Sequence, residues 1–244
     1  MPEESSPDQG RDRDPGESRR RMIALPSDAE VGDRTLAKWS ALWWKWAFAF
    51  PVIPVNDNPG FDPNPNVNNS ARFGDVGPVF FLAGAFPGVP SPVQRTATIP
   101  ANKFIFFPVL AVVNDNVQNP SLPTPISELY AQLASLIAGV TELHASLDGV
   151  PVPGLRNHRL ISPVFSYTLQ FDNVIRKITN GAVDVVGTVF PVVADGFYLM
   201  LPPLAPGPHV INFGGSANSN FTIDITYHIT VTQAEVEQPA VLVP

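Results

Sequence analysis

The 244-residue chain has no cysteine, only four histidines and only three methionines. The missing thiols exclude disulfides, thiolate metal centres and cysteine nucleophiles, and they leave the redox compartment open. Charge is nearly as scarce: Asp, Glu, Lys and Arg make up 15% of residues, and eleven of them crowd into residues 1–22. The body that follows is charge-poor. A net charge of −7 argues against a surface built to neutralise phosphate, so no nucleic acid is expected as a partner. The one basic run, Arg19-Arg20-Arg21, stands among Glu3, Glu4, Asp8, Asp12, Asp14 and Glu17 and reads as part of a solvated tail. Long apolar runs are missing as well. Met22–Leu25 is far shorter than the apolar core of a secretory signal, and the apolar stretch near 36–50 falls short of the roughly 20 residues that cross a bilayer. Neither a signal peptide nor a transmembrane span is expected. No Gly-rich phosphate loop, nucleophile elbow or ordered set of Ser, His and Asp stands out.

What is present is apolar and frequently interrupted. With 28 Pro, 17 Gly and 44% hydrophobic residues, the chain reads as many short elements joined by tight turns, which fits an all-β architecture. The expected organisation is a disordered charged tail over 1–30, a single domain over 31–234 and a C-terminal tail over 235–244. All four tryptophans fall between Trp39 and Trp46. Leu36, Trp39, Trp43, Trp46 and Phe50 recur in steps of three and four, which predicts a helix near 35–50 with one aromatic stripe, stopped by Pro51. Such a stripe needs cover: the chain's own sheet, a partner, a sugar or a lipid surface. Trp39, Trp43, Trp44 and Trp46 are therefore the candidate binding residues.

Beyond a loop rich in Asn, Asp, Pro and Gly at 56–72, the pattern becomes that of strands. Pro78–Phe86 reads as a strand with Val93–Ile99 as its hairpin partner. Lys103–Val113, apolar on both faces, reads as a central strand. A second helix is expected near 125–138, capped by Thr124, closed by Gly139 and buried through Ile126, Leu129, Leu133, Leu136 and Ile137. Residues 141–148 alternate as a half-buried strand ending in the turn signal Asp148-Gly149. Leu160–Phe171, Val183–Val193 and Phe197–Leu201 supply further strands. His209–Phe213 and Phe221–Thr232 form the last pair, with Gly214-Gly215 in the loop between them and Phe221, Ile223, Ile225, Tyr227, Ile229 and Val231 facing inward. These elements imply a two-layer antiparallel β-sandwich, jelly-roll or immunoglobulin-like, with one Trp-rich N-terminal helix and one inserted helix.

Several segments carry a resemblance: Trp39-Ser40 with Trp43-Trp44-Lys45-Trp46, Gly77–Gly84, Ile99–Lys103 with Phe106–Val109, Leu147–Pro151, and Asp195–Gly215. Together they resemble a family of uncharacterised bacterial proteins, many of them exported. The resemblance covers about 36–232. It implies a β-sandwich in an exported or cell-envelope location and brings no activity and no site residues.

The polar chemistry is thin. Glu142 and His144 share one outward face, as do Asp224 and His228, so these four would form a catalytic or metal-binding cluster if their strands pair. Asp57, Asp62, Asn64 and Asn66 offer hard oxygen ligands, and Asp62, Asn64 and Asn66 have the spacing of the first half of a calcium loop, but Val67 takes the glycine place and Phe73 that of the bidentate Glu. The segment Phe50–Asn58 is echoed by Phe107–Asn116, so Asp57 and Asp115 would share a Ca2+ ion if both segments leave the same end of the sandwich. Two function classes follow. The first is a noncatalytic binding or structural sandwich that meets a glycan, a cell-envelope component or identical subunits in a homo-oligomer. The second is a metal-assisted hydrolase or isomerase using the cross-strand carboxylates and histidines.

Overall fold

The computed structural model describes residues 23–51, 74–87, 89–118, 120–218 and 221–233. Two large sheets stack face to face. The first runs in the order β3 (Asp75–Val76), β4 (Val79–Phe81), β6 (Phe104–Asp115), β11 (Gly187–Leu201) and β10 (Phe165–Leu169), with β9 (Arg159–Ile161) also paired to β11. The second runs β5 (Val93–Pro100), β13 (Phe221–Thr232), β12 (Gly207–Ala217), β7 (Val140–Leu147), β8 (Val150–Pro151). The protein is an all-β sandwich.

Side-chain alternation on β11 shows how the layers meet. Phe197, Leu199 and Leu201 join Phe107, Phe213, Ile225, Tyr227 and Ile229 in the core between the sheets. Val192, Ala194, Tyr198 and Met200 point the other way, into a second core roofed by helix α1 (Leu36–Phe48). Strands β6 and β11 are thus buried on both faces, which explains the apolar run Phe104–Val113 and confirms the central place of the expected strand Lys103–Val113. The molecule is layered helix, sheet, sheet.

Helix α1 starts where expected. The Thr35 hydroxyl accepts from the Lys38 N–H at 3.3 Å, and the helix is preceded by a short hairpin of β1 (Glu30–Val31) and β2 (Arg34–Thr35). The predicted tail gives way earlier than expected, because Leu25 N–H bonds the Met200 carbonyl at 2.8 Å and Ile23, Ala24, Leu25 and Ala29 pack on the two cores. Residues 1–22 and 234–244 lie outside the described residues.

Helix α2 (Ile126–Ala138) covers Val112 and Val193 of the first sheet through Leu129 and Leu133. Ile126 and Leu136, expected to be buried, are exposed, since a stripe of Leu129, Leu133 and Ile137 is all the sheet can cover. Thr124 does not cap the helix either: the Asn116 side chain holds both its backbone N–H and its carbonyl, at 2.7 and 3.1 Å. Helix α3 (Val174–Ile178) is a single short turn capped by Asn173.

Three strand expectations need correction. Segments 78–86 and 93–99 do not form a hairpin; β4 belongs to the first sheet and β5 to the second. The chain crosses between layers at each step and returns in its original direction, so β4 and β6 are parallel, as are β5 and β13. All other pairings are antiparallel. Second, 187–201 is one strand without a break at Asp195-Gly196, because a side chain on Gly196 would collide with Ala111 of β6 and only glycine lets the strands close. Third, Gly214-Gly215 lie inside β12, not in a loop, and Phe221 is exposed at the strand start. The expected turn at Asp148-Gly149 does form, joining β7 to β8 with φ of 52° and 77° as a primed turn requires.

Candidate functional site

The tryptophan stripe is covered by the chain's own sheet. Trp39, Trp43, Trp44 and Trp46 are all buried, the most exposed at 8%. Their polar atoms point into the fold: the indole N–H of Trp39 donates to Val31 O at 2.9 Å, that of Trp43 to Leu82 O at 2.8 Å, and that of Trp44 to the Tyr198 hydroxyl at 2.8 Å. Edge-on contacts tie them together, with Trp43 and Trp44 at 5.0 Å and Phe81 between Trp39 and Trp46 at 5.9 and 5.6 Å. These rings form no open platform.

Two of the four nonetheless wall a cleft. Trp43, Trp44 and Ala47 of α1 face Ala83–Phe86, Pro108–Ala111 of β6, and Ile223 and Ile225 of β13. The space exists because Ala47, Ala83, Gly84, Ala85 and Ala111 are small where a sandwich edge normally carries bulky residues. Counting its open mouth, the cleft measures about 420 Å³. Because both indole N–H groups bond elsewhere, the wall they present is carbon. Trp39 and Trp46 do not reach it.

The polar candidates sit on the solvent face of the second sheet. His144 of β7 and Asp224 of β13 both pair with Gly214 of β12, so the bare glycine between them lets the His144 Nε2 approach Asp224 Oδ1 to 3.3 Å. Asn212 Nδ2 donates to the same oxygen at 2.8 Å. Glu142 lies opposite Ser216 on the same face. His228 sits four residues beyond Asp224, about 13 Å along the strand, beside Thr96 and Val210. Strand pairing therefore joins His144 with Asp224 and leaves His228 apart. Among the described residues, no three His, Cys, Asp or Glu side chains stand close enough to hold a metal ion.

Asp115 closes β6. One of its oxygens accepts from the Tyr167 hydroxyl at 2.5 Å and the other from Val117 N–H at 2.8 Å. Burial and then the Asp115 charge push the Tyr167 phenol above the usual tyrosine range. Asp57, Asp62, Asn64 and Asn66 lie outside the described residues, as does a Ca2+ ion shared between Asp57 and Asp115.

Two polar pairs were missed in the sequence. Asp195 is 2% exposed and takes a two-pronged bond from Arg159, at 2.9 and 2.6 Å. A lone acid inside the apolar run Val189–Leu201 was the available signal. The second pair joins Asp148 to His209: Nδ1 lies 2.8 Å from the carboxylate and Nε2 lies 2.9 Å from Ala205 O. His209 holds an inward place in its strand, which alternation alone would have shown. Burial by itself lowers the His209 pKa, but the Asp148 carboxylate and the Ala205 carbonyl outweigh it and hold the ring above its ordinary value.

Compared with protein-family models, curated proteins and solved structures, the chain finds no match. No helix among the described residues is long and apolar enough to cross a membrane.

Proposed function

We propose that this is a noncatalytic binding protein whose ligand is a small molecule ending in an alkyl chain, held in the cleft beside Trp43 and Trp44. The observation that carries this reading is the mostly apolar lining of a half-open cleft beside two indoles whose N–H groups are already used. With its open mouth the cleft measures about 420 Å³, within the range of small-ligand sites. Each methylene transferred from water contributes about 0.8 kcal/mol, so affinity rises roughly fourfold per carbon until the mouth is filled. The test is a series of 1-alkanols from butanol to decanol followed by tryptophan fluorescence. Saturable changes that tighten with chain length support the reading. A side chain added at Gly84 meets Pro108 at 3.4 Å and the Trp43 ring at 3.7 Å, so Gly84→Val fills the space and should weaken binding at least tenfold. Equal binding by this variant, or no saturable change in the native protein, would sink it.

A second reading, a metal-assisted hydrolase or isomerase, draws support from the His144–Asp224 contact with Glu142 on the same face. Calorimetric titration with Zn2+, Mn2+ and Ca2+ tests it. Heat of binding that disappears in Asp224→Asn would favour this reading over the first.

A further inference from the structure

The imidazole of His209 faces two acceptors and no donor. Asp148 Oδ2 lies 2.8 Å from Nδ1, and the Ala205 carbonyl oxygen lies 2.9 Å from Nε2. A neutral imidazole has one N–H and one lone pair, so it serves only one of them; the imidazolium serves both. Asp148 is itself held in place, since its other oxygen accepts the Val210 N–H at 2.8 Å and its backbone, at φ 52°, makes the β7–β8 turn. Ala205 belongs to Pro202–Pro206, which joins β11 to β12 and has no other ionisable or hydroxyl side chain to hold it.

We propose that His209 is a proton-operated latch that fastens the β11–β12 connection to the β7–β8 turn when charged and lets that connection go when neutral. The carboxylate is the stronger acceptor and keeps the remaining proton on Nδ1. The Nε2 lone pair then meets the Ala205 oxygen, and the repulsion falls on Pro202–Pro206, whose three prolines have no backbone N–H to donate. Few other charges face the ring. Asp148 is the ionisable group in contact with it from the β7–β8 turn; on β13 the residue paired with His209 is Ile229, and on β7 the nearest register position is Leu147, opposite Ile211. His228 pairs with Val210 and projects from the solvent face of the sheet.

The experiment is a pH titration of the full chain by NMR, following the His209 ring nitrogens and the amides of Leu204, Ala205 and Gly207. Both ring nitrogens should carry protons at pH 6. The three amide shifts should then move together, with the midpoint of the ring. Asp148→Asn should bring the His209 midpoint down, and His209→Gln should abolish the movement of the three amides. Amides that stay still while the ring titrates would overturn the latch. So would a ring with only one protonated nitrogen at pH 6. Both outcomes are read on the native protein, so a variant that fails to fold leaves the decision intact.

Discussion

The Trp44 indole N–H donates to the Tyr198 hydroxyl at 2.8 Å, joining residues 154 apart in sequence. Tyr198 is fully buried in the strand beneath α1 and stacks on Phe106 at 5.6 Å. The bond therefore seats the helix on the sheet at one angle, because sliding α1 would strand both polar groups in hydrocarbon. Burial pushes the Tyr198 phenol above the usual tyrosine range, so it stays a neutral hydroxyl at any ordinary pH.

Trp44→Phe should cost about 2–4 kcal/mol in urea unfolding, combining lost packing with an unpaired buried hydroxyl. Tyr198→Phe should cost about 1–2 kcal/mol, since it leaves the indole N–H without its acceptor. The double variant should fall short of the sum, and additivity would show that the two groups do not act as a pair.

Gly214→Ala should be among the most damaging small substitutions. Its new methyl would strike the Ile223 carbonyl and lie 2.8 Å from the His144 ring, so a cost of about 2–4 kcal/mol is expected. Gly149→Ala has open space around it and only the strain of φ 77°, about 1 kcal/mol. Comparable losses at both sites in urea denaturation would contradict the close approach of β12 and β13.

Arg159→Met should destabilise by about 3 kcal/mol, because it strips the Asp195 carboxyl, 2% exposed, of the partner that compensates its burial. Arg159 is itself 38% exposed, which keeps the loss at the lower end for such pairs. Arg159→Met with Asp195→Leu should regain most of the stability. A double variant as unstable as the single one would mean that shape, rather than charge, governs the site.

Stability should depend on pH through the same pair that forms the latch. His209 has a folded pKa above its ordinary 6.5, so its contribution is complete below that value and is lost as pH rises through the folded pKa. Asp148 is driven the opposite way: burial alone would raise it, but bonds from His209 and Val210 and the imidazolium charge hold it below the ordinary 3.8. Its contribution is present above 3.8 and fades as pH falls through its folded value. Native protein should thus lose stability relative to His209→Gln on both sides of a plateau between these titrations. Parallel pH curves for the two proteins would rule out the coupling.

Much of the architecture was legible because it is local. The 3.6-residue recurrence of Leu36, Trp39, Trp43 and Trp46, the two-sided apolar run through Phe104–Leu110 and the strict alternation of Ile223–Val231 each record which faces of an element avoid water. These patterns settled the helix, the central strand and the all-β class before any pairing was known. They did not settle which strands share a sheet. Val79–Phe81 and Val93–Pro100 look like neighbours, yet they lie in different layers, since closing the core between two sheets outweighed the short route of a hairpin.

The site divides the same way. Residue types and strand faces put His144 and Asp224 outward, but only the register, with Gly214 bare between them, brought the two side chains together and left His228 behind. The cleft beside Trp43 and Trp44 is a gap among helix, crossing segment and both sheets, lined by alanines and a glycine that carry no signal of their own. Tertiary packing decided both, because a void or a cross-strand contact is a property of how surfaces meet, and a linear pattern holds only the surface of each element taken alone.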